Sequence, residues 1–273
     1  RTDVDDLLLK GSYQLTSKSS LSASLHHFEG KGEMPGGLTT KQYAVDPFQS
    51  TRNYDQFTGR RTDGSLKYSY KDGRDNFEVL SYYVDSFRGS YIERDATGAN
   101  TGKRSLTAAP RNYSYYGVEP RYSRIFETGS VVQEVSVGYR YLNEKSSETA
   151  LATSGFYVPG QVDAMALPLN VTQTSQGGTT ANAFYIDNRI DVGNWTITPG
   201  VRYERIRSFN NVVDYKGSTA AAIYPTAAAN EWLPTLSVLY RVNSQWTVFA
   251  NAGKSFGPQQ YAQLAQSSNN QLY

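Results

Sequence analysis

Apolar and polar residues alternate along much of this chain with a period of two. In the run Val135 to Tyr141, the odd positions are Val135, Val137, Tyr139 and Tyr141, while Glu134, Ser136, Gly138 and Arg140 fill the even ones. From Trp195 to Tyr203 the odd positions are again apolar, against Thr196, Thr198, Gly200, Arg202 and Glu204. Between Pro234 and Tyr240 the apolar set falls on even numbers, with Leu239 out of step. Near the start, Leu7, Leu9, Gly11, Tyr13 and Leu15 alternate with Leu8, Lys10, Ser12 and Gln14. Successive side chains of a strand point to opposite faces, so each run predicts a strand with one apolar and one polar face.

About ten such strands can be placed, near 3–15, 20–30, 58–71, 76–90, 110–126, 131–147, 183–191, 194–209, 232–242 and 245–255. Their connections alternate in length. Short ones near 16–19, 72–75, 127–130, 192–193 and 243–244 hold turn formers such as Asp72-Gly73-Arg74-Asp75. Long ones near 31–57, 91–109, 148–182 and 210–231 are polar and rich in Gly, Ser, Thr and Gln. Short turns at one end and long loops at the other are the layout of an antiparallel transmembrane barrel. Trp195 and Trp246 follow short turns, and Trp232 lies at the long-loop end of its strand, as expected for rings at two membrane–water interfaces. The fold class predicted is all-β: a transmembrane antiparallel β-barrel of about ten up-and-down strands, which by number alone could be a small closed barrel or a barrel fragment forming an open curved sheet. A soluble sandwich or solenoid shares the period of two, but strands of 12–17 residues exceed the usual globular length of about 5–6.

Composition narrows the function. Charged residues are 19% of 273, the net charge is +2, and there is no cysteine. That excludes a nucleic-acid partner held by a basic surface, a disulfide framework and thiolate chemistry. Aromatic residues at 13% argue against disorder. No apolar run reaches the roughly 18 residues of a membrane-spanning helix. The only histidines, His26 and His27, are adjacent on a predicted strand and must face opposite ways, so no two-histidine metal site or histidine-based enzyme is expected. The chain begins at Arg1 without Met and ends in the polar stretch Ala265–Tyr273, which reads as an internal piece of a longer protein.

Several segments are more specific. They are Gly32-Glu-Met-Pro-Gly-Gly-Leu38, Gln49 to Arg61, Ala109-Pro-Arg-Asn-Tyr113, Val118-Glu-Pro-Arg-Tyr-Ser123, Glu134 to Glu144 and Gly193 to Gly200. In order and spacing they resemble the TonB-dependent ferric citrate transporters of Gram-negative outer membranes. The likeness runs from about residue 3 to about 265 and fails within 146–182. It implies a 22-stranded barrel with an N-terminal plug, of which residues 1–273 are a partial barrel without plug or TonB box. The implied function is TonB-dependent active uptake of a ferric chelate, ferric citrate first, across the outer membrane. It implies no enzymatic step and no resident cofactor, iron being bound only as its chelate. The partners implied are the chelate, TonB through the plug, and the lipid bilayer. A structural or adhesive all-β surface protein with no transported ligand is the alternative.

Ferric citrate is anionic, and arginine offers a planar fork that matches carboxylates and stays charged. Two family ligand positions match here, Arg88 and Arg111. Each lies about 13–16 residues from a short turn, which places both high in one hairpin, above the membrane. Parity puts Arg111 on the polar face with Glu119 and Arg121. For Arg88 parity is ambiguous, since Phe77 and Val79 but also Leu80, Tyr82 and Val84 are apolar, and a bulge would reconcile them. Arg52, Arg60 and Arg61 are secondary candidates for ligand or loop contact. Arg121, Arg140 and Arg202 are expected to pair with Glu119, Glu134 and Glu204 in a cross-strand ladder. The family supplies a further arginine from the long loop at 146–182, yet no Lys or Arg lies between Ser146 and Asn188.

Overall fold

A computed structural model describes residues 2–215, 221–259 and 264. The strands are β1 (Thr2–Thr16), β2 (Ser19–Glu33), β3 (Gln56–Asp72), β4 (Asp75–Asp95), β5 (Arg104–Ala108), β6 (Arg111–Thr128), β7 (Val131–Thr153), β8 (Leu169–Val192), β9 (Trp195–Asp214), β10 (Ala221–Ile223), β11 (Thr226–Arg241) and β12 (Thr247–Gly253). One short helix, α1 (Thr40–Val45), lies in the β2–β3 connection, opened by a capping box between Thr39 and Gln42. The segment Ala265–Tyr273 lies outside the described residues.

All twelve strands form one antiparallel sheet. Ten long strands follow each other as hairpins, and β5 and β10 are short additions inside two long connections. Among the described residues β1 and β12 are opposite edges, each paired on one side only. The sheet is therefore open.

The tight turns follow from glycine. Gly73, Gly129 and Gly193 each begin a two-residue hairpin loop with φ between 54° and 60°. A positive φ at the first turn position, followed by an ordinary residue, is the type II′ geometry that suits the twist of paired strands. The β1–β2 turn lacks glycine and uses a register shift at Gln14/Thr16, with the Thr16 hydroxyl accepting from the Lys18 and Ser19 N–H groups.

Pairing fixes the two faces. Arg140 opposes Ala183, which opposes Glu204, while Val137 opposes Ile186 and then Val201. Glu134, Arg140, Arg202 and Glu204 thus share one face, and Val135, Val137, Tyr139, Ile197 and Val201 share the other, as the alternation predicts. The polar face is concave, because one cavity on it is lined from β4 across to β11. The outer face holds two aromatic rows. Trp195 packs on Tyr240 near the short turns, and Tyr203 on Trp232 eight residues higher, with centroids 4.4 and 4.8 Å apart. Eight residues at a tilt near 40° rise about 20 Å, close to the height of an outer-membrane apolar band. Between the rows lie side chains such as Leu25, Val79, Val118, Val137, Ile186 and Leu236, while Arg124, the register partner of Val135, faces outward near the short-turn end and lies 3.6 Å from Asp75. The polar pair inside this band, Asn188 and Gln133, is hydrogen-bonded to itself at 2.9 Å.

Three expectations need correction. The long connection 148–182 is mostly strand: β7 runs to Thr153 and β8 starts at Leu169, both extending beyond the stretch in which apolar and polar residues alternate. Strand β4 has no bulge. Its register with β3 and β6 is continuous from Asp75 to Arg88, so Leu80, Tyr82 and Val84 face inward. The charge ladder is also arranged differently. Arg140 lies by Glu119, Arg202 meets Glu204 but along its own strand rather than across strands, and Glu134 opposes Arg189.

Candidate ligand-binding site

Strands β4 and β6 present Arg88 and Arg111 as direct partners in the register. Both point to the concave face, on the long-loop side of the upper aromatic row. Arg88 is exposed, its guanidinium 5.4 Å from the centre of the Phe57 ring. Among the described residues it has no carboxylate partner. Arg111 is half-buried and held by Glu148 of β7, Nη2 to Oε1 at 2.7 Å. Its Nε is buried and has no hydrogen-bond partner. Burial works against the Arg111 charge, but the Glu148 carboxylate outweighs it and raises the pKa above the ordinary arginine value.

Both arginines line one cavity of about 680 Å³, with Tyr113, Thr179, Ser208 and a third arginine, Arg140. The Arg140 Nε lies 3.1 Å from Glu119 Oε1 but outside hydrogen-bond geometry, and this nitrogen too is buried without a bonded partner. Glu119 instead accepts from the Tyr82 hydroxyl at 2.9 Å. Three arginines thus share one polar cavity, lined also by Glu144 and Glu204, that is large enough for a small polycarboxylate. Arg140 was legible only as a wall charge; nothing in its local sequence marks it as a third cavity cation.

The secondary candidates separate. Arg61 shares the concave face but is bonded to Asp63 through Nε at 2.7 Å. Arg60 is on the outer face, 5.9 Å from the Phe87 ring centre, away from the cavity. Arg52 grips Asp95 with both terminal nitrogens, Nη1 to Oδ1 at 2.9 Å. Within the loops, hydrogen bonding by Arg52 leads the effects that hold the Asp95 carboxyl below its ordinary pKa.

That last contact belongs to a clamp that sequence reasoning missed. Glu93, at the top of β4, is 4% exposed. It accepts from Arg104 of β5 at 3.2 Å, the Tyr157 hydroxyl at 2.9 Å and the Asn53 N–H at 3.0 Å. Its own N–H donates to Asp55 at 2.6 Å. Burial, then the bond to Glu93, pushes the Tyr157 phenol far above its usual range. Leu106, Tyr157 and Ala164 form a small core beside it, with Tyr54, Tyr91 and Leu167 packed on top. Three long connections are tied together at the upper end of β4. His26 and His27 do face opposite ways, His26 meeting Asp6 at 2.7 Å and His27 meeting Thr62 at 2.8 Å.

Residues 9–272 match the family model described as TonB dependent receptor-like, beta-barrel. The chain therefore belongs to the TonB-dependent receptor β-barrel family, one of transporters and receptors rather than enzymes, whose barrels reside in Gram-negative outer membranes. Solved structures share the architecture. The ferric citrate transporter FecA, unliganded, is 39% identical with a TM-score of 0.82, over 96% of this chain and 37% of that one. The ferric-catecholate import receptor Fiu from E. coli K12, in its open form, is 11% identical with a TM-score of 0.77, over 94% of this chain and 47% of that one. The ferric yersiniabactin uptake receptor FyuA from Yersinia pestis is 12% identical with a TM-score of 0.69, over 92% of this chain and 37% of that one. Fiu and FyuA bear on the fold alone. The chain spans less than half the length of each of these three proteins.

Proposed function

We propose that this chain is the ligand-facing part of an outer-membrane receptor that takes up a ferric chelate, with ferric citrate as its ligand. The observation that carries the reading is the placement of Arg88 opposite Arg111 on one cavity, in a barrel 39% identical to a ferric citrate transporter. Citrate carboxylates bound to iron keep outward oxygens, and an arginine fork can grip two of them at once. Arg88, exposed and without a carboxylate partner among the described residues, can turn onto the ligand, and Arg111 adds a second positive charge on the same cavity. Arg140 takes the part of the third cation that residues 146–188 do not supply. The barrel does no covalent chemistry. Transport energy would arrive through TonB and a plug domain, neither of which lies in these residues.

The test is uptake of radiolabelled iron by cells whose only ferric-chelate receptor is the full-length protein. Iron supplied as citrate is expected to enter, and entry should stop when TonB is deleted. Equal uptake of a ferric catecholate, with none of ferric citrate, would refute the citrate assignment. No TonB-dependent uptake of any ferric chelate would refute the transport reading and favour a structural role.

A further inference from the structure

Arg205 and Arg207 lie on the face of β9 opposite the proposed ligand site. Both belong to the outer set with Trp195, Ile197, Val201 and Tyr203. They sit two and four residues beyond Tyr203, just above the upper aromatic row on the long-loop side. Both are exposed. Their register neighbours are Asn182 and Asn230 for Arg205, and Thr180 and Ala228 for Arg207. Among the described residues neither guanidinium has a carboxylate partner. The wider surface is equally one-sided. Every Asp and Glu on β6, β7, β8, β9 and β11 falls in the inward register, so the outer face of this sector carries no acid. Lys145 adds a cation one row higher on β7. By contrast, Asp5, Glu29 and Asp85 face outward on β1, β2 and β4.

Three clefts of about 360, 440 and 370 Å³ flank the two arginines. The largest is floored by Tyr139, Phe184 and Tyr203 and edged by Asn182. An apolar floor with cations at its upper edge matches a lipid: acyl chain below, charged headgroup above. The arginine fork grips phosphate bidentately as it does carboxylate, and phosphate is the anion that a lipid headgroup presents at this level. The long-loop side is the exterior side of such a barrel.

We propose that Arg205 and Arg207, with Lys145 and Asn182 beside them, bind the phosphate of a phosphorylated glycolipid headgroup in the outer leaflet. This rests on the outer-membrane placement above, and not on which chelate is carried.

The experiment uses the full-length receptor, iron-free and in detergent, with lipid A carrying both phosphates as the probe. Retention is counted by native mass spectrometry. The unaltered protein is expected to retain lipid A, and the R205Q/R207Q protein to retain about tenfold less or lower. Lipid A stripped of phosphate should be retained no better by the unaltered protein than by the variant. Ferric citrate affinity of the variant should be unchanged, because the substituted side chains are on the other face. Should the double variant fail to assemble, R205Q and R207Q singly are each expected to lower retention about threefold. Equal retention by the variant, equal retention of the stripped lipid, or equal competition by phosphatidylglycerol would overturn the proposal. An intact lipid site beside a failed citrate assay would fault only the chelate assignment.

Discussion

Arg88 and Arg111 face each other across β4 and β6, two like charges at one register position, and Glu148 holds only the second of them. Directly opposed like charges cost stability, so this pair is tolerated because Glu148 neutralises it in part. An anionic ligand arriving at Arg111 must compete with that carboxylate. The E148Q protein is expected to bind ferric citrate roughly fivefold more tightly, about 1 kcal/mol, and to melt a few degrees lower without ligand. Titration calorimetry and thermal melts of the full-length receptor read both effects. Weaker binding would mean that Glu148 positions Arg111 for the ligand.

The clamp at Glu93 makes a second, separate prediction. Removing its charge leaves the Tyr157 hydroxyl and the Arg104 Nη1 without their acceptor, Arg104 keeping only its Nε bond to Asp95, a loss of about 3 kcal/mol. For E93A, amide exchange should accelerate in residues 50–56 and 154–168 while the membrane-level strands stay protected. Asp95 adds a pH dependence. Its folded pKa is depressed, foremost by Arg52, so its contribution is present above the unfolded value of about 4 and is lost as pH falls through the lower folded value. Loop protection should hold from pH 7 to about 5 and fall below about 4.

Gly117 tests packing on the inner wall. A Cβ there would lie 2.4 Å from the Tyr82 ring and 2.9 Å from the Tyr141 carbonyl oxygen. The ring can swing, but the carbonyl belongs to a paired strand. Gly117→Ala should destabilise the barrel by about 1–3 kcal/mol, and by displacing Tyr82 it should break the bond to Glu119. Urea unfolding in vesicles measures the first effect.

The outer face has its own test. Val137 lies between the aromatic rows, opposite Ile186. Val137→Arg puts a charge against lipid at a cost of about 2–4 kcal/mol near the midplane. The barrel should assemble poorly, as seen by loss of heat-modifiable mobility on gels. Normal assembly would place this face against water.

Much of this was legible because a membrane wall enforces strict alternation. The apolar sets 7–15, 135–141 and 195–203 all fall on the outer face, and glycine marked the turns at 73, 129 and 193. Alternation fades above the membrane, where both faces are wet, so β5, β10 and the upper halves of β7 and β8 were hidden. Strand β4 misled for the opposite reason: Val84 is an apolar residue buried on the inner face, between Asp63 and Tyr115 in the register. The Glu93–Tyr157 contact spans 64 residues and has no local signal. The inward placement of Arg88 came from register, which only the paired strands supply.

The most direct measurement is the affinity of the full-length receptor for ferric citrate, taken side by side with R88A/R111A. Loss of a charge-assisted contact costs about 1.5–3 kcal/mol, so each substitution should weaken binding roughly ten- to a hundredfold and the pair more. The double variant should reach the outer membrane in unchanged amount: Arg88 has no carboxylate partner among the described residues, and loss of the partly exposed Arg111–Glu148 pair is offset by removal of two opposed like charges. Weakened binding at normal abundance is the predicted result. Unchanged affinity would contradict the account and remove both arginines from the site.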